Sequence, residues 1–280
     1  AMNRAAAPGL TLIGFDLPNS SVRAGDTLPV DLYWQVTAPL SAVPPLQLRG
    51  LSALPAAGQP AQLPPTPSAG PASGQSRAAA APAGQSSDSA VARQSGLADL
   101  LPPASWPLGI VEDRRQLALA PTVRAGKAEV SIGDVSLGAI DVTEPSRDYT
   151  MPPVQHRLDA PVGDFATLAG YDLAALQPGQ PLQLTLIWQD RAVTSTSCKV
   201  FVHVLDHADH VLAQKDDFPL AGAMPTTLWL PGQVIVDSYE VPLPSQLPSG
   251  AQLEVGMYDA ASGKRVPLGG GDRVLLPLSR

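Results

Sequence analysis

The chain has 280 residues, which at about 100–200 residues per domain predicts two domains. Lys and Arg total 18 against 25 Asp and Glu, and the net charge of −7 argues against a nucleic-acid-binding protein, which needs basic surface to meet phosphates. The 31 prolines and 24 glycines disfavour long helices and favour short strands joined by turns.

Cysteine content and hydropathy narrow the class further. The single cysteine, Cys198, excludes an intrachain disulfide. No apolar run reaches about 18 residues, so we expect no transmembrane helix. Residues 1–7 do not have the pattern of a secretory signal.

The chain contains an internal duplication. The matching pairs, in chain order, are 12–17 (LIGFDL) with 168–173 (LAGYDL), Trp34-Gln35 with Trp188-Gln189, and 106–109 (WPLG) with 229–232 (WLPG). Their offsets are 156, 154 and 123 residues. A series of matches in one order predicts two copies of the same domain.

The falling offset locates an insertion in the first copy. Gln35 and Trp106 are 71 residues apart, whereas Gln189 and Trp229 are 40 apart, so the first copy carries 31 more residues here. Residues 54–96 are rich in Ala, Pro, Gly, Ser and Gln and contain no aromatic side chain. Such a stretch cannot bury enough apolar surface to offset its ordering entropy, so we predict a disordered low-complexity loop inside the first domain. A mucin-like, O-glycosylated segment is the alternative, which the scarcity of threonine disfavours.

The first copy has a weaker strand pattern than the second. Apolar side chains alternate along residues 28–34, which is typical of a half-buried strand. Of the hairpin that the second copy forms, only 45–48 (PLQL) remains before the insertion. We therefore predict a degenerate β-sandwich over residues 8–143 and a linker over 144–153, which Pro152-Pro153 stiffens.

Residues 154–280 show the strand pattern clearly. The predicted strands, in order, are 182–188, 199–205, 211–214, 233–243, 253–258, 265–268 and 273–278. Short strands with turn signals every 8–12 residues, and no helical period, predict an immunoglobulin-like β-sandwich. In it, 253–258 is expected to pair with 265–268 across a loop that contains Gly263. The predicted fold is therefore all-β, with two tandem immunoglobulin-like antiparallel β-sandwiches.

Titratable side chains cluster on one predicted hairpin. His203, His207 and His210 lie within eight residues, interleaved with Asp206 and Asp209. Zinc uses such ligands, but a hairpin tip rarely holds a closed tetrahedral site, so we predict a solvated loop with His203 in a structural role. Calcium is a second possible ligand for four aspartates, at positions 206, 209, 216 and 217, but they lack the D-x-D-x-D-G spacing of a calcium loop. A hydrolase would need paired acids or a Ser/His/Asp arrangement, but the sequence has no Gly-x-Ser-x-Gly elbow and its histidines cluster on one hairpin. The sequence therefore predicts no catalytic residue, no metal and no cofactor.

Aromatic residues supply the candidate ligand site. Trp34 and Trp188 share the inward phase of their alternating strands, and we expect both to be buried. Trp229, in a loop, and Tyr258, on a strand, form the candidate ligand-binding pair, because sugars stack on exposed aromatic faces. The alternative is that Trp229 caps the sandwich core, which the recurrence of Trp106 at the matching place favours.

The second copy also carries a recognisable series of motifs. These are 156–158 (HRL), Gly163-Asp164, 168–173 (LAGYDL), 178–189 (PGQPLQLTLIWQ), 200–206 (VFVHVLD), 225–232 (PTTLWLPG) and 255–259 (VGMYD). The series resembles the extracytoplasmic β-sandwich module that follows the membrane-embedded part of many multispanning bacterial glycosyltransferases. Those enzymes are of the protein-mannosyltransferase-like class and are frequent in Chloroflexi-like bacteria. The resemblance covers residues 154–280 well and residues 9–52 and 105–142 weakly.

The resemblance implies a non-catalytic accessory module on the outer, cell-surface side of a membrane. It would be associated with a membrane glycosyltransferase and help to position glycan or acceptor, with its partners a glycan or the membrane part of a parent protein. The catalytic carboxylates of that class lie in the membrane part, so the chain itself is expected not to be an enzyme. An independent carbohydrate-binding module is the alternative, and a glycosidase-like enzyme is the weakest reading.

Overall fold

A computed structural model of the chain describes residues 2–54, 91–176 and 180–278. They divide into two compact units, Ala1–Pro145 and Ser146–Arg280, which we call the first and second domains. Each domain has its own apolar core between two sheets, and the predicted fold of two tandem immunoglobulin-like β-sandwiches is confirmed. No helix within the described ranges is long and apolar enough to cross a membrane.

The first domain consists of two sheets and a short helix. Its elements are β1 (Arg4–Ala7), β2 (Leu10–Asp16), β3 (Ser21–Arg23), β4 (Thr27–Val36), β5 (Leu46–Arg49), β6 (Ala92–Ser95), α1 (Leu97–Leu100), a 3₁₀ turn (Pro103–Ser105), β7 (Gly109–Leu119), β8 (Gly126–Ile132) and β9 (Val135–Thr143). One sheet has the order β1-β2-β4-β7-β6, and the other has the order β3-β9-β8-β5. The pairs within these sheets are antiparallel except β3 with β9.

The second domain repeats this plan with one strand in the other sheet and, among the described residues, without a counterpart of β3. Its elements are β10 (His156–Val162), β11 (Ala166–Leu173), β12 (Leu182–Asp190), β13 (Cys198–Leu205), β14 (Val211–Asp217), 3₁₀ turns (Pro219–Gly222 and Thr226–Leu228), β15 (Val234–Val241), β16 (Gln252–Asp259) and β17 (Val274–Pro277). Its sheets have the orders β10-β11-β12-β15 and β14-β13-β16-β17.

Both domains follow the immunoglobulin strand plan. In the second domain, β11, β12 and β15 correspond to strands A, B and E, and β13, β16 and β17 to strands C, F and G. The copies differ after strand C, because β6 pairs with β7 whereas β14 pairs with β13. The strand that follows strand C therefore belongs to the sheet of strands A, B and E in the first domain, and to the sheet of strands C, F and G in the second.

The predicted inward phase of the two tryptophans is confirmed. Trp34 on β4 and Trp188 on β12 are both fully buried, each in the core of its own domain. Leu12 pairs with Trp34 and Leu168 with Trp188, and the register of both strand pairs shifts at the next position. The duplication therefore extends to a shared β-bulge.

Each domain also buries one aspartate beside its tryptophan. In the first domain, the Trp34 indole N–H donates to Asp113 Oδ2 at 3.4 Å, and the Leu97 N–H donates to Asp113 Oδ1 at 3.0 Å. Arg115 Nε donates to the same carboxylate at 2.7 Å. Three separate parts of the chain are therefore held at one buried carboxylate.

The second domain also buries a carboxylate beside its tryptophan, but it keeps only the backbone N–H among the three kinds of partner. Asp237, 124 positions after Asp113, accepts the Leu220 N–H at 2.9 Å and the Tyr239 hydroxyl. Burial raises the pKa of Asp237, although the hydrogen bonds from Tyr239 and Leu220 act to lower it. The Trp188 indole N–H has no hydrogen-bond partner among the described residues.

The predicted low-complexity loop over 54–96 is too long at its C-terminal end. Its positions 55–90 lie outside the described residues. Val91 is buried in the first core, and Ala92–Ser95 forms β6 against the end of β7. The correction has a local cause, because the unpaired edge of β7 supplies hydrogen-bond partners that a short polar strand can use without a hydrophobic pattern.

The predicted linker over 144–153 is also corrected. Arg147 donates to the Leu228 carbonyl and to Gln233 Oε1, and the Val234 N–H donates to the Asp148 carbonyl at 2.8 Å. The second domain therefore includes most of this segment, and the boundary lies at Pro145 and Ser146. Pro152-Pro153 stiffens a segment that lies on the sheet, not a free spacer.

The last predicted hairpin forms only in part. β16 pairs with β13 along one edge, and along its other edge it pairs with β17, where Leu253 lies opposite Leu276. The expected partner segment, 265–268, contributes one isolated bridge, between Tyr258 and Arg265, and a hydrogen bond from the Val266 N–H to the Met257 carbonyl. Proline at position 267 limits further pairing, because it has no N–H to donate.

Replacing Trp188 by alanine should destabilise the second domain by about 3–5 kcal/mol, since the indole is fully buried in the core. Urea unfolding of the full chain should show the second-domain transition shifted and the first-domain transition unchanged. Val236→Ala is the control, because Val236 is 44% exposed on the neighbouring strand. A Trp188→Ala shift no larger than the control shift would contradict the packing described above.

Candidate functional site

Trp229 is buried, so half of the predicted ligand-binding pair is wrong. Its indole is fully buried, and its N–H donates to the Met224 carbonyl at 2.8 Å. Trp106 has the same role in the first domain, where its N–H donates to the Leu101 carbonyl at 3.0 Å. Each tryptophan follows a 3₁₀ turn and closes one end of a core, so neither presents a face to a sugar.

Tyr258 is half-buried and does not lie with Trp229. Its ring stacks on Phe201, with ring centroids 6.4 Å apart, whereas Trp229 packs in the core against Phe165. Burial raises the pKa of Tyr258, with a further contribution from Asp216. The two predicted residues are therefore not brought together.

A cleft of about 260 Å³ lies at one end of the second domain. Three connections line it, namely the β10–β11 turn (163–165), the end of the β12–β13 connection with the first residue of β13 (194–198), and the last residue of β16 with the β16–β17 connection (259–267). The Gly163 turn has a positive φ of 51°, and a Cβ built there would lie 3.2 Å from Val266 Cγ1. The first and third connections are therefore in close contact, and loops at the end of a sandwich are a common place for binding sites.

The rim of the cleft carries both signs of charge. Asp164 and Lys264 are exposed, and Asp259 and Arg265 are half-buried. The Ser262 hydroxyl and the Ala261 N–H both donate to Asp259 and hold the pKa of that carboxyl below its usual value. The rim therefore offers ionised acceptors and donors together, a set suited to a ligand rich in hydroxyl groups.

The floor of the cleft is apolar. Phe165 and the Cys198 thiol lie there, and both are buried. Burial raises the pKa of Cys198 to about 11, so the thiol stays protonated and is not a nucleophile at neutral pH. Trp229 lies behind Phe165, with ring centroids 6.4 Å apart, and therefore supports the floor from the core.

A buried carboxylate organises the outer face of the β13–β16 sheet. Glu254 is 3% exposed and accepts hydrogen bonds from Arg265 Nη1 and Arg273 Nη1, both at 2.9 Å. His203 completes the set, with Nδ1 2.9 Å from Glu254 and Nε2 3.2 Å from Asp216. Although burial acts to raise it, these donors lower the pKa of Glu254.

This network gives His203 the predicted structural role. Both of its ring nitrogens are engaged by carboxylates, and His210 bonds separately to Asp206 on the hairpin. Among the residues that the structure describes, no group of three or more His, Cys, Asp or Glu side chains is placed to hold a metal ion. The sequence did not reveal the burial of Glu254, because the same Glu-Val pair occurs in the first copy, where Glu129 is exposed.

Asp190 is a third buried carboxylate in this domain, in addition to Asp237 and Glu254. It is 2% exposed, and neither carboxylate oxygen has a hydrogen-bond partner among the described residues. The adjacent Arg191 N–H donates instead to the Phe165 carbonyl at 2.7 Å. Burial raises the pKa of Asp190 to about 7, although Arg191 N–H and Arg147 act in the opposite direction.

Comparison with known proteins gives little further evidence. No protein-family model matches the chain, and no curated protein matches it. Among solved structures, the chain is similar to FdeC, a broadly conserved Escherichia coli adhesin, with 11% sequence identity and a TM-score of 0.31. That alignment covers 95% of this chain and 64% of the adhesin chain. At such a distance the likeness carries no functional argument.

The sequence analysis missed the cleft residues, although weak signals for them exist. Gly163-Asp164 and the segment 259–264 are turn signals in the sequence. They mark loops that flank opposite sheets, and only the sandwich topology shows that these loops meet at one end. A search for residues that follow strand ends on the same side would have found them.

Replacing Asp190 by asparagine should remove a pH-dependent destabilisation. The folded state binds the Asp190 proton more tightly than the unfolded state, in which the pKa is 3.8. This carboxyl therefore lowers the free energy of unfolding as the pH rises from about 4 to about 7. At pH 8, the Asp190→Asn protein should be more stable by up to about 4 kcal/mol, and the difference should vanish near pH 4.

Thermal unfolding of both proteins between pH 4 and pH 8 measures this difference. Glu240→Gln, at an exposed position on β15, is the matched control and should not change the pH profile. An Asp190→Asn protein that is less stable than the parent at pH 8 would show that the buried carboxylate is stabilising, contrary to the argument above.

Proposed function

We propose that this chain is a non-catalytic β-sandwich module on the extracytoplasmic side of a membrane, where it positions glycan or acceptor for a glycosyltransferase. The motif series in residues 154–280 supports the association with such an enzyme. The cleft at the loop end of the second domain supports contact with a glycan, and it is the observation that carries the proposal. The chain's own role is to bind and orient.

The chemistry of the cleft fits a neutral, polyhydroxylated ligand. Each sugar hydroxyl both donates and accepts, and the rim supplies acceptors at Asp164 and Asp259 and a donor at Lys264 within one small space. A single-signed phosphate or polyanion fits less well, because the carboxylates would repel it. The fixed orientation of Asp259, held by Ser262 and Ala261, reduces the entropy lost on binding.

The same cleft supports the second candidate, an independent carbohydrate-binding module. The two differ in the affinity that they require. A module tethered to an enzyme works at a high effective concentration, so dissociation constants on the order of millimolar suffice. An independent module must capture its ligand from solution and needs affinity on the order of micromolar.

Titration of the full chain with methyl glycosides of mannose, glucose and N-acetylglucosamine tests the proposal. We expect saturable chemical-shift changes at the cleft, with a dissociation constant on the order of millimolar for at least one sugar. Lys264→Ala should weaken that binding at least tenfold, because Lys264 is the exposed donor on the rim. Lys215→Ala is the matched control, because Lys215 lies on β14 and does not line the cleft. The Lys215→Ala protein should bind the sugar with the affinity of the parent protein.

Each result has a defined meaning. Micromolar affinity that Lys264→Ala abolishes would favour the independent module over the accessory role. Shifts that do not depend on Lys264 would show that the cleft is not the site. The absence of binding for all three sugars would overturn the glycan-positioning function.

A further inference from the structure

The hydrogen bond that closes the β10–β11 turn has a counterpart in the first domain. The Arg191 N–H donates to the Phe165 carbonyl at 2.7 Å. At the matching place, by the offsets of 154 and 156 residues, the Thr37 N–H donates to the Gly9 carbonyl at 2.8 Å. The bond therefore belongs to the design that the two copies share.

The side chain next to this bond differs between the copies. Val36 precedes Thr37 and is buried in the first core, whereas Asp190 precedes Arg191 and puts a carboxyl group at the same place. Both are the last residue of their strand, β4 and β12. An apolar side chain is enough for the shared fold at this position, so the carboxyl group needs another explanation.

The Asp190 side chain is buried on a fixed backbone. It is 2% exposed, and neither of its oxygens accepts a hydrogen bond from the described residues. The Asp190 N–H donates to the Gln233 carbonyl at 2.8 Å, and the Gly232 N–H donates to the Asp190 carbonyl at 2.9 Å. A change in the charge of the carboxyl group is therefore met by the groups around it and not by movement of the strand.

The charged groups around Asp190 leave its proton exchangeable near neutral pH. Burial raises the pKa of Asp190 to about 7, and the charge of Arg147, whose Nη1 donates to Gln233 Oε1, opposes that effect. The charged or titratable groups on the surrounding elements include Asp164, Arg191, Cys198, Asp259 and Lys264 at this end of the domain and Asp237 further along β15. Near neutral pH the arginines stay charged and the Cys198 thiol stays protonated.

The Arg191 N–H lies close to two acceptors. It donates to the Phe165 carbonyl, and it also acts to lower the pKa of the neighbouring Asp190 carboxyl without completing a hydrogen bond to it. An ionised carboxylate is a stronger acceptor than a neutral carbonyl, and a buried charge without a partner is costly. Ionised Asp190 therefore competes for this N–H, whereas protonated Asp190 leaves it on Phe165.

Phe165 connects this hydrogen bond to the cleft. Its ring lies in the cleft floor and packs on Trp229. The Phe165 carbonyl also accepts the Ala192 N–H at 3.0 Å. When the Arg191 N–H leaves, the turn keeps only this second, longer bond among the described residues, so the floor is held less firmly.

We propose that Asp190 is a proton-controlled switch for the cleft. The protonated side chain leaves the Arg191 N–H on the Phe165 carbonyl and keeps the floor in place. After loss of the proton to solvent, the carboxylate takes that N–H and loosens the floor. The consequence for a ligand rests on the proposed function: a sugar binds the protonated form more tightly because the floor is already formed, so its affinity falls as the pH rises through neutrality.

A pH titration of the labelled, ligand-free full chain from about pH 5 to about pH 9 tests the switch without any sugar. We expect the Arg191 amide shift, the Phe165 carbonyl ¹³C shift and the Asp190 carboxyl ¹³C shift to follow one midpoint near pH 7. The Thr37 amide is a control in the same sample, because Val36 beside it has no proton to lose. It should not follow this midpoint.

Asp190→Asn should abolish the titration of the Arg191 and Phe165 shifts. Glu240→Gln, which removes an exposed carboxyl group on β15, is the matched control and should titrate as the parent does. If Asp190→Asn does not fold, the Asp190 carboxyl shift of the parent decides, since its midpoint must coincide with those of the other two. Separate midpoints, constant shifts at Phe165, or a titration that persists in Asp190→Asn would overturn the switch.

Methyl glycosides of mannose, glucose and N-acetylglucosamine, titrated at about pH 5.5 and about pH 8.5, test the coupling to a ligand. We expect binding to be about tenfold weaker at the higher pH, and Asp190→Asn to bind equally well at both. Equal affinity of the parent at both pH values would overturn the coupling and leave the cleft as the sugar site. If no sugar binds at either pH, the glycan-positioning function fails, and the ligand-free titration still decides the switch.

Discussion

A carboxylate buried beside a tryptophan determines the architecture of both domains. Burying an ionised group is costly unless its oxygens are paired, so the partners of Asp113 and Asp237 must be brought to one place. In the first domain these partners are the Trp34 indole, the Leu97 N–H and Arg115. The carboxylate thereby ties the segment that enters β7 to the sheet, and it positions the turn that places Trp106 over the end of the core.

The buried carboxylate has different partners in the two copies, so the charge buried in the two domains differs. Arg115 gives Asp113 a buried ion pair in the first domain, whereas Tyr239 gives Asp237 only a hydroxyl. The second domain also has Asp190 at the place of Val36, which is buried in the first core. Burial raises the pKa of both second-domain carboxyls. The stability of the second domain should therefore respond more strongly to pH near neutrality than that of the first.

The sequence predicted most of the fold and little of the site, for a physical reason. Strands such as β4 and β12 have a period-two pattern because one face is buried, and the pattern is local. The course of residues 147–154 along β15, the pairing of β6 with β7 and the pairing of β16 with β17 depend on which strand edges remain unpaired, which no local pattern encodes. Trp229 was misplaced for a related reason, since a tryptophan in a Pro- and Gly-containing loop has the same local sequence whether it faces solvent or closes a core.

The duplication itself separates scaffold from function. Features that recur at equivalent places, such as Trp106 and Trp229, hold two cores of the same design and need no ligand to explain them. The cleft arises where the copies differ, because the β10–β11 turn has three residues, 163–165, and the β1–β2 turn has two, Pro8-Gly9. The longer turn brings Asp164 to the rim and Phe165 to the floor. Binding properties of this chain are therefore best sought where one copy has residues that the other lacks.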